Sequence, residues 1–196
     1  DHRGQGRSGR LIADSEMGYV HEFADYIEDL DKLVQHFDLQ GYQKRYMLAH
    51  SMGGNIATQY LQTKTHSFDA VALSAPMYGV NLPWYLKPVA PLIGQLLTAL
   101  YPKPTFAPGQ AAYFPKPFEG NFLSQSQVRY QWFRELYEQN PELKIGGAST
   151  RWVWQGLLSC QRCHLMTRHI QAPLLVMQAG DDKIVSNIAQ SKFMTK

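Results

Sequence analysis

Between Val20 and Phe37 the apolar positions fall at Val20, Phe23, Ala24, Ile27, Leu30, Leu33, Val34 and Phe37, a period close to that of an α-helix. Glu22, Asp25, Glu28, Asp29 and Asp31 occupy the other face, so the stretch predicts a surface helix laid over a sheet. Elsewhere the apolar residues come as short unbroken runs. Tyr46–Ala49, Asp69–Ser74 (closed by Pro76) and Leu174–Gln178 (opened by Ala172-Pro173) each predict a buried strand. Behind the first run, Ile56, Tyr60 and Leu61 return to helical spacing. Helices alternating with buried strands predict a parallel sheet with helices on its faces.

From Met77 to Ile170 that rhythm is lost. Nine of the eleven prolines and fifteen of the 24 aromatic residues lie there, in motifs such as Tyr101-Pro102-Lys103-Pro104 and Phe114-Pro115-Lys116-Pro117-Phe118. Proline cannot donate to a ladder, so these are not regular sheet. Helical pieces do occur at Ser126–Glu138 and Thr150–Leu165. The expected organisation is a core over residues 1–76, an inserted cap of loops and short helices over 77–170, and the core continued over 171–196. The cap aromatics either line a ligand pocket or supply a small core of their own.

Composition bounds the reading without deciding it. At 196 residues and 44% apolar content the chain can build one sizeable core. No window reaches the roughly 18 apolar residues of a membrane span, and the longest, Val89–Leu100, is broken by Pro91. No stretch reads as a signal peptide. Asp1 stands directly inside a motif, from which we expect a piece of a longer protein. Two cysteines and no disulfide framework fit a reducing compartment. Charge is uneven: residues 1–83 carry 7 Lys+Arg against 10 Asp+Glu, net −3, and residues 84–196 carry 12 against 6, net +6. A basic half suits an anionic surface, although a solvated excess explains it equally well.

The chemistry concentrates where the first strand meets its helix. In Ala49-His50-Ser51-Met52-Gly53-Gly54 a serine is thrown onto a sharp strand-to-helix turn, as in the nucleophile elbow G-x-S-x-G with Ala49 at the first glycine position. The turn crowds strand and helix, so Ala49 and Gly53, two positions either side of Ser51, are expected to be small for that reason. The helix then points its first amides at whatever Ser51 attacks, and the amide of Met52 can stabilise an oxyanion. Past the third run, Asp181-Asp182 sits where parallel sheets keep their ligands, downstream of Ser51 as the order Ser, Asp, His requires. A surface turn held by Asx hydrogen bonds is the alternative. Two other motifs are set aside. Gly4, Gly6 and Gly9 match G-x-G-x-x-G but lack the strand before and the helix after, so a tight loop held by Asp1 and Arg3 is expected. Cys160-Gln161-Arg162-Cys163-His164 matches a haem-attachment signature, yet inside an amphipathic helix it reads as a pair of helix thiols.

With Asp1–Ser8 (D-H-R-G-Q-G-R-S), Ala49–Gly54 (A-H-S-M-G-G), Ser74–Gly79 (S-A-P-M-Y-G) and Gln178–Val185 (Q-A-G-D-D-K-I-V) on the page, the chain resembles the α/β-hydrolase superfamily. Within it the resemblance is to the bacterial lysophospholipase (L-two type) and monoacylglycerol lipase group, with Ala49 on the lysophospholipase side. The resemblance implies an α/β-hydrolase fold and a serine hydrolase acting on lysophospholipids through an acyl-enzyme, needing no metal or organic cofactor. It assigns Ser51 as nucleophile, Met52 as oxyanion amide and Asp182 as the acid, with Asp181 second. It places an H-G-G-type oxyanion loop upstream of Asp1 and the catalytic histidine beyond Asp182, so none of the histidines here is assigned. A monoacylglycerol lipase or general carboxylesterase, or a catalytically silent binding module, are the alternatives. The expected partner is a single-chain lipid and not nucleic acid. The cap holds 9 Lys+Arg against 4 Asp+Glu, and with Trp84, Tyr85, Phe114 and Phe118 it suits a headgroup boundary. Together with the resemblance this implies a cytoplasmic protein docking peripherally on the inner face of the bacterial inner membrane.

Overall fold

A computed structural model describes residues 1–37 and 39–196. Three parallel strands, β1 (Tyr46–His50), β2 (Ala70–Ser74) and β3 (Leu174–Met177), form a sheet in the order β1-β2-β3. Leu48 lies opposite Ala72, and Ala72 opposite Leu175. The α-helices among the described residues are α1 (Ala24–His36), α2 (Met52–Thr63), α3 (Ala90–Leu100), α4 (Gln127–Gln139), α5 (Thr150–Leu165) and α6 (Asn187–Met194). Among the described residues no helix is long and apolar enough to cross a membrane.

The chain divides into two compact units, one of Asp1–His21 with Val89–Trp154 and one of Glu22–Pro88 with Gln155–Lys196. These boundaries are drawn differently from the sequence-based division at 76 and 170: residues 77–88 and 155–170 group with the sheet, and the opening loop groups with residues 89–154.

In the sheet unit, α2 is the central element. It is buried almost continuously from Gly54 to Gln62 and packs on β1 and on α1. Its apolar side chains Ile56, Ala57, Tyr60 and Leu61 are buried together with Phe23, Tyr26 and Ile27 from the segment leading into and along α1. The predicted helix from Val20 begins only at Ala24; Val20 and Phe23 are buried ahead of it. Its acidic face is partly engaged, because Lys64 past the end of α2 reaches Glu28 and Asp31. Exposed pairs of this kind contribute little to stability.

The strands depart from expectation in one respect. Leu73 on β2 is fully buried, whereas Leu48 on β1 is 76% exposed and Leu175 on β3 is exposed as well. Continuous apolar runs predict burial on both faces, but among the described residues only one face of this sheet is covered.

The other unit is laced by backbone bonds rather than strands. Gly18 N donates to Gly147 O at 2.9 Å, Ser149 N to Gly18 O at 2.7 Å, and Gly147 N to Ala111 O at 2.7 Å. Gly146 is required by this lacing, since a Cβ there would stand 2.5 Å from Tyr113 N and 2.7 Å from Ala111 O. The opening loop folds on itself as expected of Asp1: its carboxylate accepts Arg7 N at 2.8 Å, and Ser8 Oγ donates to its carbonyl at 2.7 Å. Gly4 and Gly6 sit at positive φ, which glycine adopts without strain. α4 and α5 match the predicted helical pieces. α3 was not predicted as a helix; its proline sits in the first turn, where a missing N–H costs nothing.

Two histidines of the sheet unit are poised against protonation. His164 lies near the rings of Tyr78 and Phe193, and its Nε2 donates to Tyr78 O at 3.1 Å. His66 lies near the rings of Tyr60 and Phe68. Burial pushes both below the usual histidine value, and the Nδ1 of each is buried with no hydrogen-bond partner. In His164, whose Nε2 carries the proton donated to Tyr78 O, a second proton would sit on Nδ1, where nothing accepts it. Near pH 6 the unfolded chain binds more protons at these rings than the folded one, so stability falls as pH drops below about 6.5. The urea midpoint is expected to be lower at pH 5.5 than at pH 7.5, and His66→Phe is expected to reduce that difference.

Candidate active site

β1 ends at His50 and α2 begins at Met52, leaving one residue for the whole reversal. That residue, Ser51, adopts φ 51° and ψ −118°. This is a conformation L-residues avoid at a cost of about 1–3 kcal/mol, and it persists only where the surroundings over-determine it. They do so on both sides. Ser51 N donates to Ser74 O at 3.0 Å, and Ser51 O accepts from Asn55 N at 3.2 Å and Met77 N at 2.9 Å. The segment after β2 repeats the device: Ala75 also has positive φ, and its N donates to Met177 O at 2.7 Å. Met52, the first residue of α2, carries its amide at the positive end of the helix dipole.

The crowding at this turn falls on a different glycine from the one expected. A Cβ on Gly53 would meet nothing within 4 Å, whereas a Cβ on Gly54 would lie 2.8 Å from Pro76 Cβ and 3.0 Å from Pro76 Cα. The constraint is the approach of the post-β2 loop to the helix, not of the strand to the helix.

Behind Ser51 runs a buried polar seam that the sequence pattern did not reveal. Asn55 Nδ2 donates to Met77 O at 2.7 Å, while Asn55 Oδ1 accepts from Gln59 Nε2 at 2.7 Å and Ser159 Oγ at 2.6 Å. Gln62 Nε2 donates to Cys163 O at 2.8 Å. Asn55, Gln59 and Gln62 follow helical spacing within an otherwise apolar helix, which is the one signal that could have found them. Cys160 and Cys163 are buried in the same seam, the Cys160 thiol donating to Met77 O at 3.3 Å. Burial pushes Cys160 up to about 12 and Cys163 well above its usual value, so both remain neutral thiols.

Asp182 follows β3 in a turn held by its own side chain. Its Oδ1 accepts from Ile184 N and Val185 N, both at 2.8 Å, and no described residue bonds its Oδ2. Asp181 instead pairs with Lys183 on the surface. Asx hydrogen bonds are thus present, as the structural alternative required, and they leave one carboxylate oxygen uncommitted. Asn81 ties this turn to the loop after β2: its Nδ2 donates to Asp182 O and Val185 O, both at 3.1 Å, and its N to Ile184 O at 2.8 Å. Ser51 and Asp182 therefore stand beyond the same ends of parallel strands with β2 between them, joined through residues 75–81 and not by a described bond of their own. Of the histidines, His164 is committed to Tyr78 O and His50 Nδ1 lies 3.2 Å from Ser74 Oγ.

Across residues 1–196 the sequence matches the family described as serine aminopeptidase, S33. The chain belongs to that family. It is 36% identical over 200 residues to lysophospholipase L2 of Escherichia coli strain K12, covering 98% of this chain and 57% of that protein. It is 35% identical over 188 residues to the probable lysophospholipase L2 of Haemophilus influenzae, covering 95% of this chain and 59% of the relative. The chain thus spans less than two thirds of the length of either. Among solved structures, the monoacylglycerol lipase of Paleococcus ferrophilus superposes with a TM-score of 0.69 at 18% identity, over 100% of this chain and 66% of that one. A monoglyceride lipase of Saccharomyces cerevisiae gives 0.64 at 20% identity, over 100% and 62%. The fold is that of the α/β hydrolases, as the sequence motifs implied.

The two glycines give a direct test of the turn. Gly53→Ala, in open space within a helix, is expected to leave the melting temperature unchanged or slightly raised. Gly54→Ala forces Pro76 backbone to move and is expected to destabilise by about 1–3 kcal/mol, read as a lowered melting temperature.

Proposed function

We propose that this chain forms part of a serine hydrolase that cleaves the acyl ester of lysophospholipids through an acyl-enzyme. Ser51 attacks the acyl carbonyl, losing its proton to a histidine base; the Met52 amide stabilises the tetrahedral oxyanion. The ester C–O bond then breaks and the glycerophospho-alcohol leaves with that proton, after which water attacks the acyl-enzyme and releases the fatty acid. Asp182 orients that base through the oxygen its turn leaves uncommitted. None of the seven histidines of this chain is assigned the role. No step requires a metal or an organic cofactor. The observation that carries the reading is the forced backbone of Ser51: strain held by bonds on both sides supports a functional rather than a capping serine. The relatives named lysophospholipase L2 favour a lysophospholipid as substrate.

The structural likeness to enzymes titled monoacylglycerol and monoglyceride lipases keeps a monoacylglycerol substrate as the second reading. Turnover of matched lysophospholipid and monoacylglycerol separates the two. A silent binding module would form no covalent adduct with a fluorophosphonate.

We further assign a substrate-selecting cap to the insertion between β2 and β3, and peripheral contact with the inner face of the bacterial inner membrane. Support comes from α3, which has no charged residue and no buried one, and whose Leu92, Leu96 and Leu100 are all exposed along one stripe. Contiguous apolar surface left exposed in this way suits contact with a lipid surface.

In the full-length protein Ser51→Ala is expected to lower kcat for ester hydrolysis by about three orders of magnitude or more with the fold retained; a variant keeping a tenth of the rate excludes Ser51 as nucleophile. Flotation with anionic vesicles is expected to succeed at low salt and weaken as salt rises. Failure to float with anionic or neutral vesicles at low salt refutes membrane contact.

A further inference from the structure

Helix α4, the loop 109–116 and the 145–147 strip enclose a cavity of about 350 Å³ within the unit of residues 1–21 and 89–154. Tyr130, Phe133, Arg134 and Tyr137 recur at helical spacing on α4 and line it, with Tyr113 and Lys116 facing from the loop. The rings form a connected wall, with Phe133 and Tyr137 at 4.9 Å and Tyr137 and Tyr113 at 5.6 Å between centroids. Arg134 is held within this wall, its guanidinium carbon 5.1 Å from the Tyr113 centroid and 6.0 Å from that of Tyr130.

The cations of the unit are not equivalent. Arg10 spends its donors on backbone carbonyls of Gly6, Ser15 and Glu142, at 3.0, 2.9 and 3.0 Å, which is a structural arrangement. Lys144 bonds Glu138 at 3.1 Å. Arg134 makes one described bond, Nη2 to Phe114 O at 3.2 Å, and no described carboxylate lies within 4.0 Å of it. Lys116 sits 5.2 Å over the Phe114 ring, likewise with no described carboxylate partner. A half-buried guanidinium, flanked by ring faces and with most of its fork unused, is a receptor for a planar or tetrahedral oxyanion. The phenol of Tyr113, pushed up by burial more than Arg134 pulls it down, stays neutral. Its hydroxyl is spent on Glu138 Oε1 at 3.2 Å, a carboxylate that Lys144 also holds, so the donors left to an oxyanion are those of Arg134 and Lys116. At about 350 Å³ the cavity is near the lower end of ligand sites, enough for a headgroup and not for a long acyl chain.

We propose that this cavity binds the phosphate of a single-chain glycerophospholipid headgroup, with Arg134 as the forked donor and Lys116 as the second cation. The exposed Phe114, Phe122 and Leu123 nearby in the chain offer apolar surface to the rest of such a lipid. The inference rests on the lysophospholipid reading above and adds to it a binding preference for a phosphate-bearing over a neutral single-chain lipid.

The test uses the full-length protein carrying Ser51→Ala, so that binding is measured without turnover. Lysophosphatidylethanolamine and monoacylglycerol of the same chain length are titrated below their micelle concentrations, with glycerol 3-phosphate as a soluble phosphate ester. Arg134→Gln is expected to weaken lysophosphatidylethanolamine binding tenfold or more while changing monoacylglycerol binding less than twofold. Arg134→Lys, which keeps the charge and loses the fork, is expected to fall between. Equal losses for both lipids, or none for either, overturn the proposal. Loss confined to glycerol 3-phosphate would assign the cavity to a soluble ester and overturn the lipid assignment. Should Arg134→Gln not fold, Lys116→Gln on the exposed loop carries the same comparison with a smaller expected loss. Hydrolysis of monoacylglycerol but not lysophospholipid by the parent would refute the proposed substrate while leaving this binding comparison readable.

Discussion

A backbone reversal in a single residue cannot hold itself, and most of the sheet unit can be understood as what holds it. Ser51 has its N–H on the end of β2 and its carbonyl on the segment beyond β2, so the middle strand grips the turn from both chemical sides. That grip requires the segment to approach α2 closely, which Gly54 permits by leaving room for Pro76. The segment in turn is fastened from behind by Asn55, Cys160, His164 and Gln190 through its successive carbonyls at Pro76, Met77 and Tyr78. Geometry at the serine is thus set by residues drawn from β2, α2, α5 and α6 together.

The same segment continues into Asn81, which braces the Asp182 turn. Two groups contributed by strands at opposite edges of the three-stranded sheet are therefore referenced to one stretch of chain. A displacement of residues 75–81 would disturb both, which makes the loop after the middle strand a shared datum for the site.

Elements with strong periodicity were legible in the sequence. The strands appeared as short apolar runs, α1, α4 and α5 as helical spacings, and the elbow as a motif with its strand and helix in place. What escaped was decided by tertiary contact. Whether Gly53 or Gly54 bears the crowding depends on where Pro76 lies, which no local pattern encodes. α3 was obscured because Pro91 reads as a breaker unless its position in the first turn is known. The polar seam hid because Asn55, Gln59 and Ser159 look like surface residues until a second helix is set against the first. The exposure of Leu48 and Leu175 escaped because an apolar run does not say how many of its faces are covered.

That seam has a bearing on how α2 and α5 can move. Between purely apolar helices, sliding by one turn exchanges one hydrocarbon contact for another at small cost. Here such a slide would part Asn55 from Ser159 and Gln62 from the Cys163 carbonyl at once, leaving several buried polar atoms with neither protein nor water to bond. The intermediate positions are penalised as heavily as the end point, so the two helices behave as a toothed pair rather than a greased one. Buried hydrogen bonds in this interface select one axial register out of the several that hydrophobic packing alone would tolerate.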